Sequence, residues 1–204
     1  MKLLYLSWVL GLAALLVGVG CDSWTDQPPI TGERPPATGG TNGTGGTGGL
    51  GEGACTTPEN QAVYGDLVYI NSAGTEFTGD DAASEMGSDC IFGSDTSQPI
   101  LNGCGAEAGV VIGCFPNCPA NVIQEAADCV ARCVQEATQA AAPPGLSDEC
   151  VACTGDTVAC GAAFCTNLCV SDTNAPACID CRCENNCIQE FDRCSGLPSG
   201  NECN

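Results

Sequence analysis

The sequence predicts a mainly α, small disulfide-rich fold. About three helices form antiparallel hairpins stapled by disulfides, preceded by a small irregular or β-containing section. Three observations predict it. Fourteen of the nineteen cysteines fall between Cys114 and Cys194. Within that stretch cysteines and apolar residues recur at spacings of three and four, the period of a helix face. Beyond the first fifty residues large apolar side chains are scarce, and the aromatics are limited to Tyr64, Tyr69, Phe77, Phe92, Phe115, Phe164 and Phe191. So thin a core is normally compensated by cross-links, which restrict the unfolded chain.

Four segments follow in order. Residues 1–20 read as a signal peptide: Lys2 supplies the positive start, and residues 3–17 are an almost unbroken apolar run, short for a membrane span. The run ends in Gly18-Val19-Gly20-Cys21. A small residue directly before a cysteine, immediately after the apolar run, resembles the signal of bacterial lipoproteins, in which that cysteine becomes the lipid-carrying mature N-terminus. Gly18 departs from the apolar residue usual in that family, and Gly18-x-Gly20 also fits ordinary secretory cleavage, so a plainly secreted chain is the alternative. Parity favours lipid on Cys21, because the eighteen cysteines left over can all pair. Whether the membrane is the inner or the outer one stays open.

Residues 21–53 read as a disordered Gly/Thr/Pro linker, since almost nothing in them can bury apolar surface. Such a tether reaches on the order of 30 Å. Residues 54–113 form the lighter section. Ala62-Val63-Tyr64 and Leu67-Val68-Tyr69-Ile70 have strand character, Asn71-Ser72-Ala73-Gly74 is a turn, and Thr78 is placed to cap a short helix over residues 80–86, with Asp80 and Asp81 in its first turn. Residues 109–113 read as a short strand or extended connection.

Residues 114–204 are the cysteine-rich helical domain. A first helix spans residues 119–142, with Val122, Ala126, Cys129, Cys133 and Ala137 in one stripe, widened by Ile123, Val130 and Val134. Pro143-Pro144-Gly145 stops it. Ser147 caps the second, on which Cys150, Cys153, Thr157, Cys160 and Phe164 share a face, while Gly155 and Gly161 weaken it enough to suggest two pieces. A third runs from about Pro176 to Cys194 and ends at Ser195-Gly196. Short loops make these helices antiparallel neighbours. That arrangement sets Cys129 and Cys133 against the 150–160 face, and Cys165 and Cys169 against the 178–187 group. The candidate disulfide cysteines are Cys55, Cys90, Cys104, Cys114, Cys118, Cys129, Cys133, Cys150, Cys153, Cys160, Cys165, Cys169, Cys178, Cys181, Cys183, Cys187, Cys194 and Cys203. Their full connectivity is not fixed by sequence, since they allow on the order of tens of millions of pairings. Gly145-Leu146-Ser147-x-x-Cys150-x-x-Cys153, Cys165-x-x-x-Cys169, Cys178-x-x-Cys181 and Cys194-Ser195-Gly196-Leu197 together resemble a cysteine-rich module of myxobacterial secreted proteins and lipoproteins of unknown function. The resemblance implies origin and compartment, and no activity.

Chemistry is weighed against this scaffold. Cys178-x-x-Cys181-x-Cys183-x-x-x-Cys187 has thiolate-cluster spacing, but the chain has no histidine and an export signal, so disulfides are the preferred reading and a metal-thiolate site the lesser one. Cys150-Val151-Ala152-Cys153 and Cys178-Ile179-Asp180-Cys181 are CxxC motifs without the βαβ setting of a thioredoxin-like redox site. Lack of histidine excludes Ser-His-Asp and Cys-His catalysis. Asp80-Asp81 is the densest acidic spot, and a solvated helix start accounts for it. The net charge of −20 falls to −21 once Lys2 is removed, leaving four arginines against twenty-five carboxylates, which repels nucleic acid.

The expectation is therefore a non-enzymatic binding or interaction lipoprotein of the bacterial envelope. No catalytic residue, metal or cofactor is assigned, the membrane is contacted through Cys21, and the partner is an unidentified envelope or surface component. The alternatives are a structural or protective envelope component and, further off, a thiol-redox or metal-thiolate protein.

Overall fold

Short helix-starting signals in the first half and the cysteine stripes in the second produce a chain that is mainly helical. The structure, a computed structural model, describes residues 53–71, 73–92, 103–170, 172–198 and 203. The 1–20 signal reading, Cys21 and all of the 21–53 linker except Gly53 lie outside the described residues. The element order is α1 (Pro58–Asp66), β1 (Val68–Ile70), β2 (Glu76–Thr78), α2 (Gly79–Phe92), α3 (Gly105–Cys114), α4 (Ala120–Ala141), α5 (Asp148–Cys169), α6 (Pro176–Glu184) and α7 (Cys187–Ser195).

Two strand expectations are corrected. Residues 62–64 lie in α1, where Thr57 caps the backbone N–H of Asn60 and Pro58 occupies the first turn. That start signal, with Asn60, Val63 and Tyr64 buried on one face, overrides the β preference of Val63 and Tyr64. Residues 109–113 lie in α3, which is held at both ends by the bridges Cys104–Cys129 and Cys114–Cys118. Strand β1 is as expected. It pairs antiparallel with β2 in the register Val68↔Thr78, Tyr69↔Phe77, Ile70↔Glu76. The Asn71 side chain builds the turn between them by accepting from the N–H groups of Ala73 and Thr75. Thr78 closes β2, and α2 starts at Gly79 with Asp80 and Asp81 in its first turn.

Helix α4 buries Ile123, Ala126, Cys129, Val130, Cys133, Val134 and Ala137, the stripe its sequence period dictates. Ser147 caps α5 by accepting from Cys150 N–H. Helix α5 is one continuous helix of 22 residues, not two pieces. Gly155 serves packing within it: a Cβ there would stand 2.3 Å from the Ala127 carbonyl oxygen and 3.1 Å from Ala131, so the glycine lets α4 lie close against α5. The third helix, by contrast, is broken into α6 and α7. Asn186 at the join is left-handed with φ 59°, a conformation asparagine adopts more readily than other side-chain-bearing residues. Gly196, with φ 73°, ends α7 as its sequence predicts.

Nine bridges join these elements. Along α5, Cys169, Cys165, Cys160 and Cys153 pair in strictly reversed order with Cys178, Cys181, Cys187 and Cys194, so α6 and α7 together run antiparallel to α5 as a zipper. The expected crossing of Cys165 and Cys169 to the 178–187 group is thus present. The expected crossing of Cys129 and Cys133 to the 150–160 face is not: Cys129 pairs with Cys104 and Cys133 with Cys90. The small-residue contact of Gly155 with Ala127 and Ala131 occupies the surface facing α5, and the cysteine edge of α4 is turned toward α2 and the turn preceding α3. Cys55–Cys150 and Cys183–Cys203 tie down the two flanks.

One core cluster extends from Cys55 to Ala163, shared by the 54–113 section and the helical region. Its largest fully buried side chains include Leu67, Met86, Ile91, Val130 and Val134, interleaved with alanines 82, 83, 126, 127, 159, 162 and 163. At the edge of this core, residues 53–55 lie against the end of α7: the N–H groups of Ala54 and Cys55 donate to the carbonyls of Cys194 (3.0 Å) and Ser195 (2.9 Å). Buried Asn60 locks the corner, donating to Ala54 O (2.8 Å) and Ser147 Oγ (3.1 Å) and accepting from Ser147 N–H (2.9 Å).

Candidate functional site: a cleft over Arg182

A cleft of about 270 Å³ opens between α2 on one side and α5 and α6 on the other. Tyr64 of α1, Phe77 of β2 and Phe191 of α7 supply aromatic surface. Asp80, Asp81 and Glu85 line the α2 wall, the first two solvent-exposed in the opening turn where the helix dipole favours negative charge.

Deeper in the cleft is Arg182, partly buried on α6. Its neighbours Cys181 and Cys183 are both bridged, so its backbone is pinned on either side. The guanidinium lies over Gly161, whose missing side chain leaves Arg182 Cδ and Nε at 3.8 Å from where a Cβ would be. Its Nη2 donates to Thr157 Oγ1 at 3.2 Å, and the Thr157 hydroxyl in turn donates to the Cys187 carbonyl at 3.0 Å. The hydroxyl proton is therefore directed away from the arginine, and a lone pair faces it. Arg182 Nε is buried with no hydrogen-bond partner. Burial pulls the guanidinium below the usual arginine range, and among the described residues no carboxylate pairs with it to offset that.

Two other perturbed groups flank the cleft. The Tyr64 phenol, 3.2 Å from Cys150 Sγ, is pushed above the usual tyrosine range, first by burial and then by the Asp80 charge. A second, more polar hollow of about 330 Å³ adjoins the first and shares Glu85, Ser88 and Phe92 with it. In it Asn71 donates to Glu85 Oε1 at 2.8 Å, and Tyr69 donates to Asp89. Burial raises the Asp89 carboxyl, and the Tyr69 hydrogen bond pulls it partly back.

Every candidate disulfide cysteine has a bridged partner. The Cys178, Cys181, Cys183 and Cys187 constellation is dispersed to Cys169, Cys165, Cys203 and Cys160, respectively. The other CxxC is likewise divided, Cys150 to Cys55 and Cys153 to Cys194. Among the described residues no group of three or more His, Cys, Asp or Glu side chains is arranged to hold a metal. Of the cleft's charged side chains, the sequence reading singles out only Asp80 and Asp81. Arg182 had a legible signal: it is one of four arginines, fixed between two cysteines.

Fold and cleft together define the class: a disulfide-rich helical domain of an oxidising, extracytoplasmic compartment. Among the described residues no helix is long and apolar enough to cross a membrane. No family model, curated protein or solved structure matches the chain.

Proposed function

We propose that the chain is a lipoprotein of the bacterial envelope, anchored through Cys21, whose stapled domain is a non-enzymatic ligand-binding module. The observation that carries the binding reading is the cleft itself, in which a guanidinium is held in partial burial with an unpartnered Nε. A desolvated cation without a counter-charge is unfavourable in the folded chain, and an incoming anionic group relieves it. The anchor reading rests on the apolar run ending in Gly20-Cys21, on the even number of cysteines left after Cys21 and on the resemblance to myxobacterial lipoproteins. The non-enzymatic reading is supported by the absence of histidine and by the engagement of the cysteines in bridges.

The test has two arms, both on the full chain. Expression with a labelled fatty acid is expected to yield a labelled, membrane-fractionating protein, and Cys21→Ser is expected to abolish the label; an unlabelled wild type overturns the anchor. Exposure to envelope extract is expected to leave a saturably bound component, lost in Ser84→Trp, which fills the cleft from an exposed position. Capture that is absent, or indifferent to Ser84→Trp, overturns the binding reading in favour of a structural or protective component.

A further inference from the structure

We propose that the cleft takes a small zwitterion of the amino-carboxylate class, a molecule carrying one carboxylate and one ammonium on a short apolar frame. The proposal deepens the binding-module reading and rests on it.

Arg182 selects the carboxylate. Its planar fork matches a carboxylate in two parallel hydrogen bonds, which an ammonium side chain in its place could not make. It is preset for this: Thr157 holds one end of the guanidinium, the Cys187 carbonyl holds Thr157, and bridged Cys181 and Cys183 fix the helix turn that presents it. A guanidinium so restrained loses little freedom on binding.

The acidic wall rules out a bare anion as the preferred guest. Asp80, Asp81 and Glu85 line the same cleft on a chain of net charge −20, so an uncompensated negative ligand enters against three carboxylates and the field of the whole molecule. A phosphate or dicarboxylate fares worse still. An ammonium on the same ligand reverses the sign of that interaction. Tyr64, Phe77 and Phe191 line the same cleft and supply aromatic surface for the frame between the two charges. The volume of about 270 Å³, at the small end of ligand sites, restricts the guest to amino-acid size.

Three probes with one shared phenyl frame separate the contributions: phenylalanine carries both charges, 3-phenylpropionate only the carboxylate, and 2-phenylethylamine only the ammonium. Titration calorimetry on the full oxidised chain is expected to give phenylalanine an affinity roughly tenfold or more above either of the others. Arg182→Met keeps the apolar stem and is expected to erase the advantage over 2-phenylethylamine. Asp80→Asn with Asp81→Asn, both at exposed positions, is expected to erase the advantage over 3-phenylpropionate and serves if the arginine variant does not fold. Equal or tighter binding of either single-charge probe overturns the zwitterion assignment. So does the failure of all three to bind below about 10 mM. In that event the extract experiment decides separately: capture abolished by Ser84→Trp leaves the binding module standing with a different ligand, and no such capture removes both.

Discussion

Two glycines in α5 have opposite meanings. Gly155 has no room for a methyl group, with Ala127 O only 2.3 Å from the Cβ position, whereas at Gly161 the nearest atoms are 3.8 Å away. Gly155→Ala is expected to destabilise the fold by about 2 kcal/mol or more through overpacking. Gly161→Ala, relieving the helix of a flexible residue, is expected to stabilise it by about 0.5–1 kcal/mol. Denaturant melts of the two variants check both signs. From sequence the two were indistinguishable, since a glycine at a helix contact and one merely present in a helix have the same letter; only the neighbouring helix tells them apart. Asp89 gives a pH-dependent prediction. Its folded carboxyl titrates above the unfolded one, so its contribution to stability is full below the unfolded value and declines as pH rises through the folded value. Asp89→Asn, which still offers Tyr69 an acceptor, is expected to be more stable than wild type at neutral pH and to lose that advantage on acidification. Opposite behaviour in melts across that range would refute the assignment.

At the scale of elements, amphipathic α4, the Ser147 start of α5 and the Gly196 end of α7 were legible because each is written locally, in a stripe, a cap or a left-handed glycine. Helices α1 and α3 were not. Their β-branched residues, Val63 in one and Val110, Val111 and Ile112 in the other, favour strands in isolation, and tertiary contacts and bridges reverse that preference. The break between α6 and α7 was hidden because the cysteine spacing of four continues across it, from Cys183 to Cys187, while the chain turns at the left-handed Asn186. Asn186→Ala, forcing φ 59° on a residue that resists it, is expected to cost about 1 kcal/mol, and Asn186→Gly to be neutral or slightly stabilising. Shifts in the unfolding midpoint distinguish them. The cleft was the least legible feature, because its walls come from α1, β2, α2, α5, α6 and α7, and no sequence window contains more than a fragment of it.

For the molecule as a whole, the bridges are unequal. Cys55–Cys150 closes a span of 95 residues and Cys114–Cys118 one of 4. On loop entropy alone their contributions are about 4–5 and about 2 kcal/mol. Replacing both cysteines of the first pair by alanine is expected to lower stability by clearly more than the same change in the second, as read from denaturant midpoints. Complete reduction of the nine bridges is expected to add eighteen hydrogens to the intact mass of the 55–203 bridge set and to unfold the domain. A native circular-dichroism spectrum after full reduction would show that the alanine-rich core suffices by itself.

The junction of residues 53–55 with α7 also has a mechanical meaning. A pull on the chain from the N-terminal side of residue 53 enters at Cys55 and passes through its sulfur into Cys150, at the start of α5. From α5 the covalent route continues through Cys165 to Cys181, one residue from Arg182. A load applied between residue 53 and Arg182 therefore has a covalent route that bypasses residues 56–149, including the sheet and α1 to α4. With Cys55–Cys150 intact, a pull applied at residue 53 is expected to unravel no chain between residues 56 and 149, and reduction of that bridge is expected to release it.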